Sequence, residues 1–347
     1  MIRTLRLLTL LLAASGCQRS AETRVVLYCS QDREFAESVL DEFTRRSGQR
    51  AAVKFDTEAD KSVGLYHELM RERNRPRCDV FWNNEIMNTI RLQRAGLLET
   101  YRSPSAEDYP DYAKAADGIW TAFAARARVL IVNTDRVPEA ERPCSIMDLT
   151  AAKWRGRVGI ARPLYGTTAT HAACLFDVLG ADAARDFFRQ LKANDVRILP
   201  GNKQVAEAVA RGQLDVGFTD TDDAIIEWEA GRPVALVFPD RDGHPDHPRL
   251  GTLYIPNTLM LIKGSPNPEG GRQLIDFLLS PEIEKRLAEG PSRQIPLNPK
   301  VTATLPAPIE RPRGAGGTVL PMQVDFSRAA DLWDEAHSFI RNEFLRD

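Results

Sequence analysis

Val25-Val26-Leu27-Tyr28, followed by Cys29-Ser30-Gln31-Asp32, is a short apolar run that stops at a polar turn. Such a run suits a strand buried in a parallel sheet, and the turn after it is able to cap a helix. Phe35, Val39, Leu40 and Phe43 supply that helix at three-to-four spacing, and Gly48 stops it. Residues 52–55 give a second strand. A charged amphipathic helix follows with Leu65, Leu69 and Met70 inward. Asp79-Val80-Phe81-Trp82 gives a third strand, ending at Asn83-Asn84-Glu85. This β-α-β-α-β order predicts a parallel sheet with right-handed crossovers.

The alternation recurs downstream. Strands are expected at 129–132, 158–161, 196–199 and 216–219, and helices at 181–191 and 204–211. A strand at 259–262 and a helix through Ile275, Phe277 and Leu278 follow. Two such blocks predict an α/β protein of two lobes, each a mostly parallel sheet flanked by helices. Residues 303–323 hold four prolines and three glycines and read as an irregular connector. Beyond them Phe326, Ala330, Trp333, His337, Ile340 and Phe344 fall on one helical face, expected to pack against a lobe.

A chain of 347 residues suits about two domains. With 46 basic and 48 acidic residues interleaved, it has no clustered basic surface for nucleic acid. The start of the chain differs in character. Arg3 and Arg6 precede an apolar stretch, residues 7–14, too short to span a bilayer, which is the pattern of a signal peptide. Ala14-Ser15-Gly16-Cys17 matches the bacterial lipobox. Residues 1–17 are therefore expected to be a lipoprotein signal peptide, with Cys17 lipidated, residues 18–23 as a tether, and the protein exported and membrane-anchored at the periplasm or cell surface. Cys29, Cys78, Cys144 and Cys174 match no disulfide or metal framework, so free thiols are expected.

In open parallel sheets ligands bind beyond the carboxyl ends of strands, where helix N-termini point donors outward. Those ends here carry Ser30 and Asp32; Asn83, Asn84 and Glu85; Tyr165-Gly166-Thr167-Thr168; Gly201 and Asn202; and Asp220-Thr221-Asp222-Asp223. They converge only if the lobes face one another. Gly166-Thr167-Thr168 suits an anion, and equally a plain helix cap. Asp220, Asp222 and Asp223 concentrate charge that must be solvated or bound to a cation. Arg126 and Arg128 alternate onto one face, where a buried guanidinium needs a ligand anion or an interlobe carboxylate. His244 and His247, with Asp242 and Asp246, lie in a stretch dense in Pro, Gly and Asp that reads as a solvated loop. No G-x-S-x-G, H-E-x-x-H, Walker loop or C-x-x-C occurs, so no enzyme is expected. Gly314-Ala315-Gly316-Gly317 follows no strand and is no dinucleotide loop.

Several blocks carry a resemblance: residues 25–32, Cys78-Asp79-Val80-Phe81-Trp82, Arg126-Ala127-Arg128-Val129, Leu149-Thr150-Ala151-Ala152-Lys153-Trp154-Arg155-Gly156, Gly201-Asn202, Leu214-Asp215-Val216 and Ile295-Pro296-Leu297-Asn298-Pro299. In this order, over about 24–301, they resemble the periplasmic ferric-iron-binding proteins of bacterial ABC importers. The resemblance implies a type II periplasmic binding protein fold with its ligand cleft between the lobes. It also implies an ABC permease in the inner membrane as partner, and a small charged ligand. No catalytic cofactor is implied.

That family holds iron with adjacent tyrosines, often a histidine and a glutamate, and a synergistic anion. By resemblance Asp32 falls at the histidine, Asn84 with Glu85 at the glutamate, and Asp222 and Asp223 at the tyrosine pair. Tyr165, Gly166 and Thr167 fall at the anion, with Asn202 and Arg126 nearby. Both tyrosines are missing. The implied metal set of Asp32, Glu85, Asp222 and Asp223 is an all-oxygen cage that takes Fe(III) or another hard cation. Carboxylates opposite an arginine and a helix N-terminus also suit an organic phosphonate, phosphate or amine zwitterion.

The expected lobes are 24–135 with 251–290, and 136–250 with 291–347. Crossing strands near 121–135 and 250–258 would join them and allow hinge closure. The protein is expected to act as a monomer. An enzyme or a ligand-sensing partner on the same fold are the competing functions.

Overall fold

Strand β1 (Arg24–Cys29) lies between two parallel partners, β2 (Arg50–Phe55) and β3 (Val80–Asn83), with Leu27 opposite both Val53 and Val80. Helix α1 (Arg33–Ser47) buries Phe35, Ala36, Val39, Leu40 and Phe43 beneath them. It ends at Gly48, whose left-handed φ of 68° lets its amide reach the Thr44 carbonyl. Helix α2 (Val63–Arg71) buries Leu65, Tyr66 and Leu69. Helix α3 (Met87–Arg94) and the short β4 (Leu98–Glu99) complete this block. The computed structural model describes residues 24–56 and 63–346; the expected signal peptide, Cys17 and its tether lie outside the described residues.

Strand β5 (Trp120–Asn133) is buried almost throughout its 14 residues. After it come β6 (Val158–Ala161), α4 (Gly166–Leu179), α5 (Ala181–Ala193), β7 (Arg197–Leu199) and α6 (Asn202–Ala210). Next are β8 (Val216–Asp220), α7 (Thr221–Glu229) and β9 (Val234–Val237). Then β10 (Tyr254–Ile262), α8 (Pro268–Leu278) and α9 (Pro281–Glu289) return the chain to the first block.

The strands run in the order β2-β1-β3-β10-β5-β8-β6-β7, with β5 in the middle. Residues 120–127 of β5 pair antiparallel with β10, from Trp120↔Met260 to Ala127↔Tyr254. From Arg128 onward the same strand pairs with β8, Arg128 opposite Asp220, and with β9, Leu130 opposite Val237. The partner changes between Ala127 and Arg128. Just before that point the register shifts at Pro256/Asn257, and Ala124 takes a left-handed φ of 43°. A bulge of this kind bends a strand and increases its twist. Three hydrophobic clusters result, the smallest of them between β3 and α2 around Phe81, Leu65 and Leu69; the two large ones are cores of the main blocks. One lies around β1, α1 and α8, the other around β6, α4 and α5.

The C-terminal stripe packs as its spacing predicts. It is divided between α10 (Phe326–Asp331), α11 (Trp333–Phe339) and a π-helical turn at Ile340–Phe344. Ala330, Trp333, Ile340 and Phe344 are buried, with Phe344 edge-on to Phe188 of α5. The segment is pinned on two sides: Asp331 pairs with Arg94 of α3 at 2.6 Å, and Glu335 with Arg185 of α5 at 2.5 Å. Cys78, Cys144 and Cys174 are free thiols; Cys29, Cys78 and Cys174 are buried and Cys144 is exposed.

Candidate ligand-binding cleft

Where β5 changes partners, the chain that follows β1, β3, β6, β7 and β8 lines one cavity of about 270 Å³. Asp32, Asn84, Arg126, Tyr165, Gly166, Thr167, Thr168, Asn202, Asp220, Asp222 and Asp223 all face it. Four helices start there, capped by Asp32 (α1), Tyr165 (α4), Gly201 (α6) and Asp220 (α7). Each brings the partial positive charge of its unpaired amides. Gly166 makes the α4 turn possible. It joins the extended Tyr165 to the helix at φ +56°, a conformation that strains any side chain.

The acidic tip after β8 is tightly built. Asp220 Oδ1 accepts from Arg128 Nη1 at 2.7 Å. Asp220 Oδ2 accepts from Thr167 Oγ1 at 2.5 Å and Asn202 Nδ2 at 3.0 Å. Arg128 is fully buried, its guanidinium over the Phe218 ring at 4.5 Å. Asp222 Oδ2 lies 3.5 Å from Arg126 Nε. Asp220, Asp222 and Asp223 each offer an oxygen within 4.8 Å of the others, and among the described residues no other such acidic or thiol–imidazole group forms. His244 and His247 belong to no such group.

The two arginines therefore divide their work. Arg126 donates to the Asn84 carbonyl and to Gln31 Oε1 at 3.3 Å, binding the tips of the first sheet to Asp222. It lines the same cavity as Tyr165, Gly166, Thr167 and Asn202, while the guanidinium that bonds Thr167 and Asn202 is that of Arg128. Alternation does put both on one side of β5, yet the partner change between them sends them to different neighbours.

Ser30 and Glu85 do not line the cavity. Ser30 Oγ donates to Asp56 at 2.8 Å. The Glu85 carboxylate, expected as a metal ligand, is already saturated. Oε1 accepts from Asn83 Nδ2 and the Asn88 amide, each at 3.0 Å. Oε2 accepts from the Met87 amide at 2.5 Å and Thr170 Oγ1 at 3.0 Å. It caps α3 and ties it to α4. Burial pushes this carboxyl above its usual range, against the pull of those donors. One helical position past Thr170, His171 is fully buried against Phe218. Desolvation, aided by the Arg128 charge, holds its imidazole well below its usual pKa.

Glu34, Arg162, Lys203 and Gln204 also line the cavity. Arg162 directly follows β6 and Lys203 adjoins Asn202 at the start of α6, so the strand-end rule that selected their neighbours selects them too. Both are exposed at the rim. Five carboxylates thus meet three cations, which tilts the cavity towards a positively charged guest.

A cleft between two α/β lobes, lined by strand ends and helix N-termini, defines a two-lobed binding protein. The chain belongs to the bacterial extracellular solute-binding protein family, which matches residues 25–289. It is 26% identical over 322 residues to the major ferric iron-binding protein of Neisseria meningitidis, covering 89% of this chain and 93% of that one. It is 25% identical over 265 residues to a putative 2-aminoethylphosphonate-binding periplasmic protein of Salmonella typhimurium, covering 74% and 73%. Iron-bound HitA from Pseudomonas aeruginosa shares the fold with a TM-score of 0.80 at 24% identity, over 92% of this chain and 99% of that one.

Proposed function

We propose that this protein is the receptor of an ABC importer, anchored through a lipidated Cys17, and that it captures a hard cation with Fe(III) as the leading candidate. The observation that carries this reading is the oxygen cluster of Asp220, Asp222 and Asp223, with Asp32 lining the same cavity. Hard cations prefer all-oxygen ligands, and a charged cluster in a half-enclosed cavity is stabilised by one. Asp222, Asp223 and Asp32 would replace part of the ion's hydration shell, with Arg126 holding Asp222 in place. The family and the ferric-binding relative support the same reading.

The lobes proposed for closure are 24–135 with 251–290 and 136–250 with 291–347. The single strand β5 running through both sheets supplies a place to bend. The deciding experiment is thermal-shift screening of the purified protein against Fe(III), divalent metals, inorganic phosphate and aminoalkylphosphonates. A selective rise with Fe(III), lost in Asp222→Ala plus Asp223→Ala, supports the cation reading. A rise only with a phosphonate defeats it. That second outcome would point to a zwitterion receptor, for which Arg162 and Lys203 at the rim supply the anion contacts. The anchor has its own test: Cys17→Ala should move the protein from the membrane to the soluble fraction.

A further inference from the structure

We infer that Asp220 is a built-in counter-anion, filling the seat that an external phosphate-type anion would otherwise occupy, so that the cleft takes its cation alone. This rests on the reading of the cleft as the ligand site, and it specifies what enters with the ligand. The seat is built from donors on three elements: Thr167 Oγ1 at the start of α4, Asn202 Nδ2 at the start of α6, and Arg128 Nη1 on β5. Two helix N-termini and a guanidinium make a set suited to an anion. Here all three converge on the carboxylate of Asp220.

The orientation of Asn202 is fixed as well. Its Oδ1 accepts from Arg128 Nη1 at 3.1 Å and from Thr168 Oγ1 at 3.2 Å, which leaves Nδ2 to donate to Asp220. Arg128 is fully buried, and Nη1, the nitrogen it contributes to this seat, is already held by Asp220, so an anion that takes these donors must displace that carboxylate. The expelled carboxylate would then sit among Asp222, Asp223 and the incoming anion, a repulsive arrangement in a poorly solvated site. A carboxylate held in place by its own strand also avoids the association cost that a free anion bears. Arg128 thus neutralises Asp220, as Arg126 holds Asp222.

The test is calorimetric titration of the metal-free protein with inorganic phosphate, alongside titration with Fe(III) supplied as its nitrilotriacetate complex, with and without phosphate. Wild type should show no phosphate binding up to roughly 10 mM, and any iron affinity should change less than about threefold with phosphate. Asp220→Ala vacates the seat and leaves Arg128 in need of an anion. It should bind phosphate with a Kd below about 1 mM, and Thr167→Val in that background should weaken this about tenfold. Phosphate binding by wild type that Thr167→Val abolishes overturns the inference, as does a folded Asp220→Ala that still refuses phosphate. If Asp220→Ala does not fold, the wild-type titration decides. A wild type that takes neither iron nor phosphate defeats the cation reading while leaving the Asp220 seat supported.

Discussion

Two acidic tips leave the ends of buried strands, and only one of them turns its carboxylates to the cleft. After β3 the chain runs Asn83-Asn84-Glu85 and then enters α3 two residues later, so the first-turn amides of Met87 and Asn88 capture the Glu85 carboxylate. After β8 the helix starts at once. Asp222 and Asp223 already lie inside its first turn and project into the cavity. The lesson is that a carboxylate at a strand end stays available to a ligand only when the following turn does not consume both its oxygens. Sequence position alone gives the two tips the same weight; the distance to the next helix separates them.

The largest effect should come from the open tip. Asp222→Asn with Asp223→Asn should weaken Fe(III) binding by more than about a hundredfold in a chelator-competition titration, whereas Glu85→Gln should change it less than about threefold. Equal losses in both variants would erase the distinction. Next, Glu85→Ala takes the side-chain acceptor from the Met87 and Asn88 amides and from the Thr170 hydroxyl in a dry site. It should cost about 2–4 kcal/mol in urea unfolding. Third, Arg128→Lys keeps the charge but loses the flat fork. It should lower ligand affinity about tenfold by letting Asp220 swing free.

Two smaller predictions sharpen the sealed side through pH. The folded pKa of Glu85 is raised above its ordinary 4.5 by burial. Its stabilising proton uptake is therefore complete below 4.5 and lost as pH rises through the folded value. Wild type should gain stability relative to Glu85→Gln as the pH is taken from 7 down to 4.5, read from urea midpoints. His171 shifts the other way. Its folded pKa lies well below the ordinary 6.5, so its contribution is full above 6.5 and lost as pH falls through the folded value. Wild type should lose stability relative to His171→Phe as the buffer is taken below pH 6.5. A flat difference would mean the imidazole is not held neutral.

Much of this architecture was legible in the chain. The apolar runs of β1, β3, β6 and β8 and the strand-end rule together located Asp32, Asn84, Tyr165, Thr167, Asn202 and Asp222 on the cavity wall. What escaped were features set by pairing across the two sheets. Residues 121–128 form half of β5 but lack an apolar run, being alanine-rich with two arginines, and only burial from both sides makes them a strand. The separate destinations of Arg126 and Arg128 depend on where β10 stops and β8 begins. Glu85 looked like its acidic counterparts because Thr170, one of the groups that saturates it, is 85 residues away.

The family match ends at residue 289, but the protein's second core does not. Met322, Ala329, Trp333, Ile340 and Phe344 are buried within it, against the outer side of the helix that begins at Gly166. Anyone trimming the gene to the family-matched stretch for crystallography or assay work would uncover that greasy face. The shortened product should collect in inclusion bodies. Expression designs that run through residue 346 keep the face covered and are the ones to carry forward.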